Sequence, residues 1–522
     1  MDHFLSLLTI TAIIYILYSC ATIISDRRNA KRLGCQPAHT QKNRLPLGID
    51  QLQRLRKADQ AGLVPEEYAN YFAQEGRRTF RASMLGSTFV QTIEPKNIQA
   101  LLATQFKDFE LGDLRRRIFF PFLGNGIFTA DGSLWEHSRA MLRPQFVREQ
   151  VADLDLEETH VQTLLQLLVP TDANGWTAST NITPMFFRLT FDSATEFFFG
   201  TSVNSQRQAF LEQSGHAPTE AFEWKDLARC FDAGTKHLGD RGHLMEFYWL
   251  HNPQDFRDSI KEVNRFADYC VQQALARAAS PQLEEEKGKK RKYTFLDELV
   301  KATTDPIELR SQLLNILLAG RDTTASLLSW TFWLLAAHPG VFHKLRSAVL
   351  ADFGPYAHHT ETITFTALKS CTYLQHVMNE VLRLYPPVPM NSRRATRDTT
   401  LPLGGGVDGK SPIYVRKNEE VGYYVCVMHR LKELWGEDAD EFRPDRWASR
   451  RNGWDYLPFN GGPRICLGQQ FALTEAGYVI VRLLQRFDRL ALGDKDAAEP
   501  PRHRLGVTDA PQDYMIYLHE AE

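Results

Sequence analysis

Near the C-terminus, Phe459-Asn460-Gly461-Gly462-Pro463-Arg464-Ile465-Cys466-Leu467-Gly468 sets a cysteine just ahead of a segment of helical period, with Ala472, Ala476, Val479, Ile480, Leu483 and Phe487 along one face. A cysteine in that position meets unpaired backbone N–H groups and the positive end of a helix dipole. Both lower its pKa and favour the thiolate, the form that binds a metal. Gly461, Gly462 and Gly468 would let the backbone approach a flat ligand closely, and Arg464 offers a forked cation for a carboxylate. Taken alone, Cys466 also suits a structural thiol in a glycine-rich turn.

A second chemical group lies inside a long apolar segment. Asp305-Pro306-Ile307-Glu308 reads as a helix start, with an N-cap acid, proline in the first turn and glutamate at N3. The helix predicted from there to about Ala336, ahead of His338-Pro339-Gly340, would be about 45 Å long. In its middle stands Ala319-Gly320-Arg321-Asp322-Thr323-Thr324. Glycine costs a helix up to about 1 kcal/mol and threonine hydroxyls bond back to carbonyls, so a groove or kink is expected there. Glu380 and Arg383 share a helix face at i and i+3, and Trp135 and Arg139 lie on adjacent turns of another.

These segments together resemble the cytochrome P-450 monooxygenases. Phe459, Gly462, Arg464, Cys466 and Gly468 fill every fixed position of the family's F-x-x-G-x-R-x-C-x-G signature. The resemblance implies heme b, an iron protoporphyrin, with Cys466 as the iron ligand and Ala472 among the residues around the ring. It implies that Asp322 and Thr323 relay protons to dioxygen, with Gly320 making space over the ring. Glu380, Arg383 and Arg446, the last within Phe442-Arg443-Pro444-Asp445-Arg446-Trp447, resemble a structural network bracing the cysteine loop. That segment departs from the commoner form, with Asp445 for glutamate and Trp447 for phenylalanine. Trp135 and Arg139 would meet the haem propionates, and Arg393 and His429 are further candidates, with Arg394 an alternative to Arg393.

Within the family, residues 126–146, 319–330 and 459–487 look like the fungal membrane-bound branch that hydroxylates n-alkanes and fatty acids at the chain end. This implies terminal hydroxylation of a lipophilic long-chain substrate, driven by NADPH through a separate reductase, with cytochrome b5 a second candidate donor. Candidate pocket residues are Phe119, Phe120, Phe122, Leu317, Gly320, Val388 and Met390. Arg115-Arg116-Arg117 fits a solvated or lipid-facing run, or a receptor for a fatty-acid carboxylate. The alternatives are a monooxygenase of another lipophilic or secondary-metabolite substrate, a haem-thiolate isomerase or dehydratase needing no electrons, and a membrane-anchored haem-binding protein without chemistry.

The elements that must position these groups are mainly helical. Helical period runs over Val151 to Leu168, Asp255 to Arg277, Pro306 to Ala336, Val341 to Leu350, Tyr373 to Leu384 and Gly468 to Phe487. Strand-like runs are short: Ser87 to Ile93, Ile413 to Arg416 and Val421 to Val427. The fold class expected is mainly α with small β-sheets, the cytochrome P-450 fold, as one large haem domain over residues 34–522. Residues 1–33 are expected to be an anchor. Phe4 to Ile24 is 21 residues without a charge, followed by Arg27, Arg28, Lys31 and Arg32. That pattern predicts a single transmembrane helix in the endoplasmic reticulum membrane, with the catalytic domain cytosolic, rather than a cleaved signal peptide.

Composition narrows the partners. Sixty-one basic against 63 acidic residues give a net charge of -2, which excludes a dedicated nucleic-acid binder. Seven scattered cysteines without C-x-x-C pairs make neither a disulfide framework nor a zinc ribbon. Gly404 to Ser411 spells a phosphate-loop pattern, but Pro412 and the β-branched run after it predict a turn between strands. With no G-x-G-x-x-G before a helix, electrons must come from another protein. The run Glu284 to Lys292 reads as a solvated loop.

Overall fold

A computed structural model describes residue 17 and residues 21–146, 154–213, 223–279, 294–356 and 363–521. Nearly all of the expected span Phe4 to Ile24, and the whole run Glu284 to Lys292, lie outside the described residues. Among the described residues no helix is long and apolar enough to cross a membrane. Residues 21–32 are helical, and Asn29 donates to Asp398 at 3.0 Å.

The helices that frame the site are α1 (Asp113–Leu123), α2 (Gly132–Leu142), α3 (Leu154–Leu167), α4 (Ile182–Phe199), α5 (Leu227–His243), α6 (Gln254–Ala279), α7 (Pro306–Ala337), α8 (Pro339–Phe353), α9 (Thr372–Leu384) and α10 (Gln469–Arg486). The strands are β1 (Thr79–Met84), β2 (Ser87–Thr92), β3 (Phe109–Glu110), β4 (Thr180–Asn181), β5 (Met390–Ala395), β6 (Thr399–Gly405), β7 (Ser411–Val415), β8 (Glu420–Tyr424), β9 (Phe487–Leu492), β10 (His503–Leu505), β11 (Asp509–Pro511) and β12 (Met515–Glu520). They form small sheets ordered β1-β2-β8-β5-β3, β4-β12-β9, β6-β7 and β10-β11, antiparallel except for the β2/β8 pair. Ser411 opens strand β7 rather than a helix, so the phosphate-loop look-alike is the β6–β7 hairpin turn.

Helix α7 is the axis of the molecule. The Asp305 carboxylate accepts from the N–H groups of Ile307 and Glu308 at 2.9 and 3.4 Å, and Pro306 occupies the first turn. Glu308 does not close a capping box; its carboxylate meets Thr303 Oγ1 and His137 of α2, each at 2.8 Å. Thirty-two residues make α7 about 48 Å long, and it is buried on nearly every side, as a core helix apolar all round must be. Helices α4, α6, α9 and α10 pack on it. The break expected at Gly320 is absent, and α7 runs on unbroken. The glycine answers to α4, because a Cβ there would fall 3.0 Å from the Phe198 ring. Thr323 Oγ1 donates to the Ala319 carbonyl at 2.7 Å without interrupting the helix.

Behind the cysteine loop lies a buried ionic knot. Glu380 on α9 has no exposed surface, and its two oxygens accept five hydrogen bonds. Oε1 takes Arg383 at 2.9 Å, Arg446 at 2.7 Å and the Arg443 amide at 3.0 Å; Oε2 takes Arg383 and Trp447 Nε1, both at 2.9 Å. Trp447 thus supplies a donor that phenylalanine lacks, which explains the departure at this position. Arg383 continues to the carbonyls of His429, Ala439 and Glu441. The β10–β11 hairpin is stapled separately. His503 lies 2.9 Å from Asp509 and 3.2 Å from Glu66. Burial alone would depress this histidine, but the two carboxylates hold its pKa up at about 9.

Trp447→Phe is expected to lower the free energy of denaturation by about 1.5–3 kcal/mol, the worth of a buried hydrogen bond to a charge. Glu380→Gln should cost more, about 3–5 kcal/mol, because it leaves the buried Arg383 guanidinium without a carboxylate, while Arg446 keeps only Asp438. A denaturation midpoint for Trp447→Phe equal to that of the parent would refute the assigned bond. For His503, the folded chain holds a proton that the unfolded chain loses near its ordinary value, so its stabilisation is complete below about 6.5 and fades as pH rises through about 9. His503→Gln should remove that part of the alkaline slope in denaturation curves taken across this range.

Candidate active site

A cavity of about 270 Å³ lies between α7 and the cysteine loop. From α7 it receives Asn315, Ile316, Leu318, Ala319, Gly320, Thr323 and Leu327; from the loop and α10 it receives Phe459, Arg464, Cys466, Gly468, Phe471 and Ala472. Helix α2 adds Trp135 and Arg139, which stand one turn apart. The strand β5 adds Asn391 and Arg393, and the β10–β11 turn adds Val507 and Thr508. Of the expected pocket residues, Phe119, Gly320 and Val388 line this cavity.

The cysteine loop is held by its own backbone. The Cys466 amide donates to Phe459 O at 3.0 Å, the Ile465 amide to Gly462 O at 3.0 Å, and Arg139 grips Ile465 O at 3.1 Å. Asn460 and Gly462 take φ of 64° and 67°, turning the chain back on itself. Gly462 does not line the cavity. A Cβ there would lie 1.7 Å from the Leu102 carbonyl, so this glycine is demanded by a neighbouring segment rather than by a flat ligand. Gly461 likewise packs under Trp454, whereas Gly468 does reach the cavity.

Cys466 is exposed, in contrast to the five other described cysteines, all of which are buried. Its surface opens into the cavity, where protein screens it from bulk water. The expected depression of its pKa is not found. Burial pushes the thiol up, outweighing the Gly468 amide and the Arg139 charge, which pull the other way. A bound cation in the cavity would supply the missing stabilisation, since a coordinating thiol is deprotonated outright.

Among the described residues, four arginines line the cavity, Arg115, Arg139, Arg393 and Arg464, and no carboxylate does. Arg464 reaches Asp131 at 2.6 Å, and that is the nearest compensation; it also lies 4.4 Å over the Trp135 ring. Burial, and then the neighbouring arginines, bring Arg464 and Arg115 down to about 10. Arg115 donates to Asn391 Oδ1 at 2.9 Å, while its buried Nε has no partner. Such crowding of cations, only one of them met by a carboxylate, fits a ligand with two carboxylates, and a thiol in the same apolar cavity fits its metal. The donor set therefore suits an iron porphyrin. Arg393 lines the cavity, whereas Arg394 turns away from it to meet Glu246 at 3.1 Å.

Other expected residues lie elsewhere. Asp322 immediately precedes Thr323 but lies on a different side of α7, away from the cavity. Its carboxylate is buried against Arg321 at 3.0 Å, and Arg321 also reaches Asp232 of α5 at 2.5 Å. Burial raises the Asp322 pKa, with Arg321 opposing. His429 touches no part of the cavity. Its Nδ1 faces the Arg383 carbonyl at 3.1 Å and its Nε2 accepts the Leu457 amide at 2.9 Å, so it ties the ionic knot to the cysteine loop. Burial and Arg383 lower its pKa to about 3, leaving it neutral. Phe122 packs in the core against Phe231, Leu317 is buried away from the cavity, and Phe120 is exposed at the surface beneath Arg116. Met390 lines a second cavity of about 310 Å³. The two cavities share Leu111, Arg115, Phe119, Val388, Asn391 and Val507.

Asn315 and the Val507–Thr508 turn carry no signal in the sequence, whereas Arg115 belongs to the triple arginine read there as a solvated or lipid-facing run or a receptor for a fatty-acid carboxylate.

A family model described as Cytochrome P450 matches residues 48–517. The chain is 51% identical to "Cytochrome P450 monooxygenase g430" of Fusarium sp, over 92% of this chain and 85% of that protein. It is 45% identical to "Cytochrome P450 monooxygenase alt2" of Alternaria solani, over 92% and 90%, and 51% identical to "Cytochrome P450 52A13" of Debaryomyces hansenii, over 83% and 82%. With the whole folded body matched and a thiol facing α7 across an arginine-ringed cavity, the chain belongs to the cytochrome P450 family of monooxygenases.

Proposed function

We propose that this monooxygenase hydroxylates the terminal carbon of long-chain n-alkanes or fatty acids, taking electrons from NADPH through a separate reductase. The observation that carries the substrate reading is the pair of adjoining cavities, which together offer a long apolar chain more room than the inner one alone. Sequence likeness to the chain-end hydroxylases supports it. We further assign the enzyme to the endoplasmic reticulum membrane, held by the apolar segment Phe4 to Ile24, with cytochrome b5 as an additional donor.

Haem on a thiolate supplies the reductive splitting of dioxygen, which places one oxygen atom in a C–H bond and the other in water. The residues of this chain do the rest. Cys466 would hold the metal from the loop, and Arg115, Arg139, Arg393 and Arg464 would neutralise the propionates, with Trp135 against Arg139 and Arg464. Phe459, Gly468 and Ala472 would border the ring. The Thr323 hydroxyl hydrogen is committed to Ala319 O, which leaves its lone pairs toward the cavity to hold a donor there. Asp322 sits one residue away, connected through Arg321 to the half-exposed Asp232, a polar route from solvent to the back of this helical turn.

A panel of alkanes and fatty acids of graded length, incubated with reductase and NADPH and read by mass spectrometry, should give products hydroxylated at the chain end. Products oxidised only at inner carbons, or product formed without any electron donor, would overturn the reading. In the same assay Thr323→Ala should keep consuming NADPH while product per NADPH falls by about tenfold or more, the missing electrons appearing as peroxide.

Removing Arg115 tests the charge ring against the exposed arginine beside it. Arg115→Leu should release haem about tenfold or more faster, as expected for loss of a charge-assisted bond, while Arg116→Leu should match the parent. Equal haem retention in both variants would remove Arg115 from the site.

A further inference from the structure

Away from the cavity, three metal-ligating side chains converge where α5 passes to α6. His237 and Asp240 stand three residues apart near the C-terminal end of α5, so both emerge on one face. His251 comes from the connector just after the 3-10 helix Met245–Leu250. His237 Nδ1 lies 2.9 Å from His251 Nε2 and 3.9 Å from Asp240 Oδ2, and His251 Nε2 lies 3.6 Å from that same oxygen. The other nitrogen of His237 is 3.2 Å from Asp255 Oδ2, in the first turn of α6. The second oxygen of Asp255 faces Arg229 at 3.8 Å.

The hydrogen-bond inventory shows why a histidine pair alone is an incomplete solution. A carboxylate only accepts, so Asp255 keeps the proton of neutral His237 on Nε2 and leaves Nδ1 a bare lone pair. His251 Nε2 has one proton at most to share between that lone pair and Asp240. Three electron-rich atoms then face one another at 2.9–3.9 Å with at most a single hydrogen among them. A cation resolves this. Zinc at about 2.0–2.1 Å from four ligands spaces them about 3.3–3.4 Å apart, within the range these atoms already span. A carboxylate behind a ligating histidine is the usual support for such a site, and the C-terminal end of a helix dipole favours positive charge.

We propose that His237, Asp240 and His251 bind a divalent transition-metal ion of zinc's class, with Asp255 orienting His237 and a water completing the fourth position. Two imidazoles and one carboxylate select such an ion over magnesium or calcium. The ion ties the connector to α5 and α6. That connector carries the exposed Phe247, Trp249 and Leu250, and its Met245 lines the outer cavity beside Gly239 and Gly242 of α5. A bound ion therefore fixes one wall of the substrate passage.

The test is calorimetric titration of Zn²⁺ into the haem-loaded full chain after chelator treatment. One saturable site near one equivalent is expected, with Mg²⁺ giving no binding. His251→Gln and Asp240→Asn, which keep size and shape, should each weaken zinc by more than about tenfold, and Asp255→Asn by about 10–100-fold. The haem absorption spectrum should be unchanged in all three, since none of these residues reaches the cavity. Absence of a saturable site, equal binding of Mg²⁺, or His251→Gln and Asp255→Asn binding zinc as the parent does would each overturn the assignment.

Discussion

The Glu380 carboxyl group sits at a point with no access to solvent, and the cysteine loop is positioned by the donors that group requires. Its five donors come from α9 itself and from the segment Arg443 to Trp447. Burying such a group is tolerable only when every lone pair is met. The segment must therefore close over α9. Arg383 then spends its remaining donors on the carbonyls of residues 429, 439 and 441, and His429 passes the constraint to the Leu457 amide two residues before Phe459. The loop bearing Cys466 thus hangs from a chain of bonds that begins at a carboxylate, and each link is directional. Apolar packing alone would fix its depth but not its register.

A second constraint acts on the cavity from the other side. Four guanidiniums around a cavity that no carboxylate among the described residues lines leave an excess of positive charge there. Asp131 relieves one of them, and Asn391 accepts from two, Arg115 and Arg393. The remainder is stored as a preference for an anionic ligand, and the same cations lower one another's pKa. Cys466 has the matching deficit, since its burial favours the thiol. A ligand carrying two carboxylates and a metal cation satisfies both walls at once, whereas either half of it would leave the other uncompensated.

How much of this was legible in the sequence follows from how local each cause is. The helix start at Asp305-Pro306, the turn at Gly404 to Ser411 and the cysteine motif depend on neighbours within a few residues, and the structure has them where the pattern puts them. Gly462 and Gly320 were recognisable as constrained, but the reason was not, because the atoms they avoid belong to Leu102 and Phe198. The triple arginine looked uniform, yet one turn of α1 sends Arg115 inward and leaves Arg116 and Arg117 exposed. The resemblance points His429 toward the propionates, but its ring is taken up by the Arg383 carbonyl and the Leu457 amide, partners that no local pattern reveals. In each case the missing information was the identity of a partner remote in sequence.

The helical geometry of α7 also divides one motif between two environments. Adjacent residues on an α-helix point about 100° apart, so Thr323 faces the cavity and Asp322 does not. Arg321 is fully buried, stacked among the rings of Phe187, Phe191 and Phe231, and needs both of its carboxylates, Asp322 and Asp232. Asp232 belongs to α5, the helix whose far end meets the outer cavity and the histidine cluster. Arg321, held between Asp322 of α7 and Asp232 of α5, therefore ties the helical turn that bears Thr323 to the helix whose far end lines the outer cavity.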